Sequence, residues 1–138
     1  MDKALNYLAL AKKGRLIELG EEPVGAITRA VKGRLVIVAE DASDHTWRRA
    51  KSFVAGTDQQ CLRVPFSKEE LGFVVGRTSL AIAAFTDAAM ALAFVKALPD
   101  QEKAKEVREN LEAKSKKLRQ RKDEAKAHER NVRLGKKK

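Results

Sequence analysis

Two pairs of carboxylates hold most of the chemical promise in this sequence of 138 residues. Glu40 and Asp41 stand directly behind the β-branched run Leu35-Val36-Ile37-Val38-Ala39. Adjacent carboxylates at a strand end can hold a metal ion, but capping a helix or accepting from turn amides is the commoner use. Glu21 and Glu22 lie between Gly20 and Pro23, at the start of a helix. A carboxylate there suits the positive end of the helix dipole. It can also accept the N1–H and N2–H donors of a guanine base, and the residues alone leave both uses open. Upstream, Lys12-Lys13-Gly14-Arg15 gathers three cations in four residues just before a strand. Cations near a free helix N-terminus are suited to phosphate.

Other chemistries lack their parts. His45 and His128 are far apart, and neither has a second ligand at metal spacing. Cys61 is the only cysteine, so it makes no disulfide within the chain and no Cys-based zinc site. At a strand start it reads as a small buried apolar residue rather than a nucleophile. The phosphate-loop pattern GxxxxGK[ST] and the dinucleotide pattern GxGxxG are both missing. The sequence builds no catalytic constellation, and no cofactor, metal or small-molecule substrate is expected.

Charge points to a different kind of partner. The formal net charge is +10. Residues 1–98 hold 14 basic and 11 acidic side chains, whereas residues 99–138 hold 15 and 8. Most of the excess therefore lies in the last forty residues, and a balance of this size favours a polyanion, most often nucleic acid. No run approaches the 18 apolar residues of a membrane span. The N-terminus, with Asp2 and Lys3, does not read as a secretory signal. A cytoplasmic setting is the expectation.

Short elements must position these residues. Leu5, Leu8 and Ala11 recur at helical spacing up to Gly14. Arg15 to Leu19 reads as a strand, and a helix runs from about Glu22 to Val31 or Lys32, with Pro23 in its first turn. Leu35 to Ala39 is a buried strand. Asp44 is expected to cap a helix through Val54, and Cys61 to Val64 forms a third strand. Ser67 and Glu70 make a capping box for a helix ending near Gly76. Leu80 to Phe85 is a fourth strand, and Asp87 caps a helix through Leu98. Alternation with short connections places helices on both faces of a small sheet. Pro99 marks a boundary between a domain over 1–98 and a charged extension over 99–138. In that extension a helix is expected over 100–134, followed by a disordered tip at Gly135 to Lys138.

The runs AKKGRL at 11–16, GEEPV at 20–24, LVIVAEDAS at 35–43 and SKEELGFVVGR at 67–77 occur in this order. Together they resemble the kink-turn-binding ribosomal protein family, L-seven-Ae/thirty-e, and most of all its small bacterial members. The resemblance covers about residues 3–96. It implies an α/β fold: a three-layer αβα sandwich with a small four-stranded mixed sheet, here followed by a long basic C-terminal helix. It also implies binding to structured RNA, foremost ribosomal RNA, in the ribosome or its assembly. A kink-turn bends a duplex sharply and exposes guanine edges that an ordinary A-form groove hides. The resemblance assigns the reading turn to Gly20, Glu21, Glu22 and Pro23. It assigns the cover of the flipped bulge base to Arg77, Thr78 and Ser79, with Asp41, Ala42 and Ser43 beside them. From their charge, Lys12, Lys13, Arg15 and the basic C-terminal tail are the expected phosphate contacts.

The chain departs from the family pattern at several of these positions. Many members show Gly-x-Asn-Glu with a lysine four residues after the Asn. This chain has Glu22, Pro23 and Ala26 there. Glu22 accepts but cannot donate as Asn does, and Ala26 brings no charge. Arg29, Lys13 and Arg15 are the cations available to replace the lysine. Those losses favour a rival function, a protein-interaction module of the same fold whose basic C-terminal arm binds RNA without specificity. In that arm Ala104, Leu111, Leu118, Ala125 and Val132 recur every seven residues. The seam is thin for a coiled coil. A solvated helical tail, an arm along RNA phosphates and a dimerising coil all remain open.

Overall fold

Strand residues alternate between two separate apolar clusters, so the sheet is covered on both faces. The computed structural model describes residues 2–133. The elements are α1 (Lys3–Lys13), β1 (Ile17–Leu19), α2 (Glu21–Arg29), β2 (Leu35–Val38) and α3 (Asp44–Val54), then β3 (Cys61–Arg63), α4 (Lys68–Val74), β4 (Ile82–Phe85), α5 (Ala88–Lys96) and α6 (Lys105–Arg133). The sheet order is β1-β4-β2-β3. β4 is antiparallel to both its neighbours, with Ile17 opposite Phe85 and Val38 opposite Ile82. β3 is parallel to β2, with Ile37 opposite Leu62, so the sheet is mixed.

The period of two along each strand divides the core. Leu35, Ile37, Ala83 and Phe85 face one cluster, which includes Leu8 of α1, Leu71 of α4, Phe94 of α5 and Leu111 of α6. Val36, Val38, Ile82 and Ala84 face the other, with Val24 of α2 and Ala50 of α3. A strand buried on both sides has no polar face to show, which is why residues 35–38 read as an unbroken apolar run.

Element ends differ from the sequence reading for identifiable reasons. The first strand begins at Ile17 rather than Arg15, because its ladder to β4 starts there. Arg15 is instead a turn residue at φ 59°. The second helix starts at Glu21 and ends at Arg29, and Val31 turns out of it at φ 55°. The cap of α3 is Ser43, not Asp44: Ser43 Oγ accepts from Thr46 N–H at 3.2 Å. The Ser67–Glu70 capping box forms in both directions. The long helix begins at Lys105 rather than 100. Gln101 occupies the gap and donates from Nε2 to the carbonyls of Leu98 at 2.7 Å and Val95 at 3.0 Å, capping the end of α5. Gly135 to Lys138 lie outside the described residues.

The start of α6 is not a free arm. Ala104 and Leu111 are buried in the larger cluster, with Val107 packed beside them. Asn110 Nδ2 donates to Gln60 Oε1 at 2.8 Å, and Lys114 Nζ to Asp58 Oδ2 at 3.0 Å. The seven-residue recurrence thus begins as a seam against the chain's own α5 and core. Leu118 is half-buried and Ala125 exposed, so the seam runs out beyond Leu118.

Candidate functional site

Three loops meet at one end of the sheet. β1 leads into α2 there, β2 leads into α3, and the 75–81 segment enters β4. Gly20 N–H donates to Ile82 O at 2.9 Å, and Ala39 N–H donates to Ala81 O at 2.9 Å, which ties the three together. Gly20 caps α2 at φ 96°, a conformation that side chains disfavour. Its lack of a side chain also leaves room for a neighbour. A Cβ at that position would sit 3.6 Å from Arg77 Nη1. Arg77 therefore lies over the turn at 20–23, so residues 57 apart in sequence form one surface.

The 77–79 loop is held by α4. Arg77 N–H donates to Gly72 O at 2.8 Å and Leu80 N–H to Lys68 O at 2.9 Å. Arg77, Thr78 and Ser79 are all exposed. Ser43 belongs to the same end, but its hydroxyl is committed to capping α3 and to Thr46 Oγ1 at 3.1 Å. Of the Glu40-Asp41 pair, Asp41 takes the structural role: its Oδ1 accepts from Lys68 N–H at 2.8 Å and joins this loop to the start of α4. Among the described residues no three His, Cys, Asp or Glu side chains gather as a metal-binding group.

The two carboxylates of the turn differ. Glu21 Oε1 accepts from Arg49 Nε at 2.6 Å, and the Arg49 guanidinium lies 5.0 Å from the Phe53 ring centroid. Glu22 is exposed and has no ion-pair partner among the described residues. It is free to meet a ligand, whereas Glu21 is occupied. Arg29 folds back along α2, its Nη1 3.3 Å from where a Gly25 Cβ would lie, beside the Phe53 ring at 3.2 Å. It flanks the site from the cleft between α2 and α3.

Lys12, Lys13 and Arg15 are not part of this cluster. They precede β1, whereas Gly20 follows it, and five residues of near-extended chain place them on the order of 15 Å away. Arg49, Phe53 and Gly72 were missed in the sequence. The partners of Arg49 and Gly72 lie 28 and 7 residues away, and no local pattern reports such pairing. Cys61 is half-buried at the start of β3, and burial pushes its thiol up from the ordinary range, away from nucleophilic use.

A small α/β sandwich with a loop-built polar surface at one sheet end is the class these features define. No family model matches the sequence. The RNA-binding protein YlxQ of Enterococcus faecium is 32% identical over 75 residues, covering 54% of this chain and 72% of that protein. The chain belongs to the YlxQ-like family. Two solved structures share the fold. A protein of unknown function from Bacillus halodurans C superposes with a TM-score of 0.66 at 23% identity, over 72% of this chain and all of its own. The Giardia lamblia 15.5kD RNA binding protein does so with a TM-score of 0.53 at 18% identity, over 69% of this chain and 84% of its own.

Proposed function

We propose that this protein is a non-enzymatic RNA-binding protein that recognises a kink-turn-like bend in structured RNA, ribosomal RNA foremost, in the cytoplasm. The observation that carries the reading is the seating of Arg77 over Gly20. It makes one surface of the turn and the loop that the sequence resemblance links to RNA. The YlxQ relative, described as RNA-binding, and the net charge of +10 support the same class of partner. In this reading the turn at Gly20–Pro23 enters the opened groove, and Glu22 accepts from a guanine edge. Arg77, Thr78 and Ser79 cover the bulged base. Arg29, which has no ion-pair partner among the described residues, supplies positive charge from the side of the cleft where Ala26 has none.

The test is a titration at roughly physiological salt, where nonspecific attraction is partly screened. One RNA carries a kink-turn, and the other has its two G·A pairs made Watson–Crick. The wild type is expected to prefer the first, and Glu22→Lys to reduce that preference. Equal binding of both RNAs by the wild type would overturn the reading. It would then favour the second function, an interaction module without kink-turn recognition, to which Pro23 and Ala26 already point.

A further inference from the structure

A groove of about 690 Å³ opens between α6 and the 57–60 loop, at the sheet end opposite the three loops. Its position follows from the strands: Arg34 precedes β2, Gln60 precedes β3, and Val36 N–H donates to Gln60 O. Six charged side chains line it, Arg34, Lys114, Lys117 and Arg121 against Asp58 and Glu106. Asp58 is taken by Lys114, so Arg34, Lys117 and Arg121 have no ion-pair partner among the described residues. The 12–15 turn shares this end, since Thr86 N–H donates to Leu16 O at the finish of β4. Lys12, Lys13 and Arg15 are exposed there.

We propose that this end of the sheet is a second RNA-binding surface, indifferent to sequence, in which the groove receives the phosphate backbone and the 12–15 turn extends it. The proposal rests on the RNA-binding reading but uses different residues from the reading loops. Three arguments carry it. The helix that carries the cations is held against the domain beside the groove, because Leu111 is buried and Asn110 and Lys114 bind the 57–60 loop. Lys114, Lys117 and Arg121 follow one another along one face of α6 over about 10 Å, which suits a chain of negative charges better than a single one. The groove also offers neutral amide groups, on Gln60 and Asn110, that can bond to phosphate or sugar oxygens. The two surfaces lie on the order of 15 Å apart along the strands. Only an RNA whose stems continue past the bend reaches both.

The experiment compares the full chain with Lys117→Glu/Arg121→Glu on kink-turn RNAs with long or short stems, over a range of salt. The double variant is expected to bind the long-stem RNA at least about tenfold more weakly and to lower the slope of log K against log salt by about two. Its preference for the G·A pairs should remain, and the short-stem RNA should feel the change less. Glu106→Gln, which removes a groove carboxylate, should tighten binding to the long-stem RNA. Unchanged affinity and slope in the double variant, with the wild type still selecting the kink-turn, would overturn the groove and leave the loop reading standing. A loss of slope in a protein that shows no G·A preference would support the groove and overturn the loop reading. Failure of the wild type to bind either RNA would overturn both.

Discussion

Gly72 and Ser79 touch backbone to backbone: a Cβ added at Gly72 would stand 2.7 Å from Ser79 Cα and 2.8 Å from both Ser79 N and Arg77 O. Backbone atoms cannot swing aside as a flexible side chain can. The EELG run, striking in sequence only as part of a resemblance, is thus a requirement that α4 and the 77–79 loop be in direct contact. Gly72→Ala must displace one of them. Overpacking of this kind costs about 1–3 kcal/mol, against the ~1 kcal/mol that Ala gains over Gly inside a helix. The expected result in denaturant unfolding is a lower midpoint at unchanged slope, with a loss of stability of about 1–2 kcal/mol. RNA selectivity should fall more than overall affinity, since the displaced loop carries Arg77.

Gln59 is a buried amide whose two N–H donors and whose oxygen are all engaged by the fold. Its Oε1 accepts from Gly33 N–H at 2.8 Å, and its Nε2 donates to Thr28 O at 3.0 Å and Thr57 Oγ1 at 3.1 Å. Gln59→Leu keeps the size and orphans the buried Gly33 N–H, worth about 1–3 kcal/mol when left unsatisfied, whereas Thr28 O still accepts from Val31 N–H at 3.0 Å. A stability loss of about 1–3 kcal/mol is expected by chemical denaturation. Gln59→Glu, which keeps one acceptor, should lose less at a pH low enough to protonate it.

Leu111 tests whether α6 is part of the folding unit. It is fully buried, and Leu→Ala at such a site costs about 2–5 kcal/mol. Leu111→Ala should lower the midpoint for the whole domain, measured on a probe such as Trp47 that is far from α6 in sequence. Ala125→Gly, on the exposed stretch, should change helix content with no more than a small effect on that midpoint. Equal effects of the two substitutions would contradict the packing described.

Asp58 gives a pH signature. The hydrogen bond and charge of Lys114 hold its carboxyl below the ordinary carboxylate value. A group lowered in the folded state stabilises above its unfolded pKa, and that contribution disappears as pH falls through the folded value. Wild type and Asp58→Asn should therefore differ in melting temperature near neutrality and converge in acid, once the pH has fallen through the lowered folded value. The difference is expected to be small and to shrink with salt, because Asp58 is largely exposed.

The alternation of elements was legible because each strand and helix announces itself by period. Ser67 and Glu70 fixed a helix start from four residues, and Leu35 to Val38 could only be a strand covered on both faces. The loops assigned to the reading surface also fall together, since all three sit at one end of the sheet. What the sequence concealed was pairing at a distance. Nothing near Glu21 reports that Arg49 will occupy it. Ala104 and Leu111 looked like a sparse stripe in a polar helix. Only the apolar surface of α5 explains them, and that surface is already present in the Phe94 and Val95 pair.

The strand order sets a schedule for the chain as it is made. β4, the last strand in sequence, lies between β1 and β2. Until residues 82–85 emerge, β1 has no neighbour and β2 can pair only with β3. The most apolar stretch, Leu35-Val36-Ile37-Val38, must then wait with one edge open while more than forty further residues are synthesised. An unpaired apolar edge is the kind of surface at which nascent chains aggregate. Conditions that slow elongation between β2 and β4 should hurt the yield of soluble protein more than a slowdown after β4.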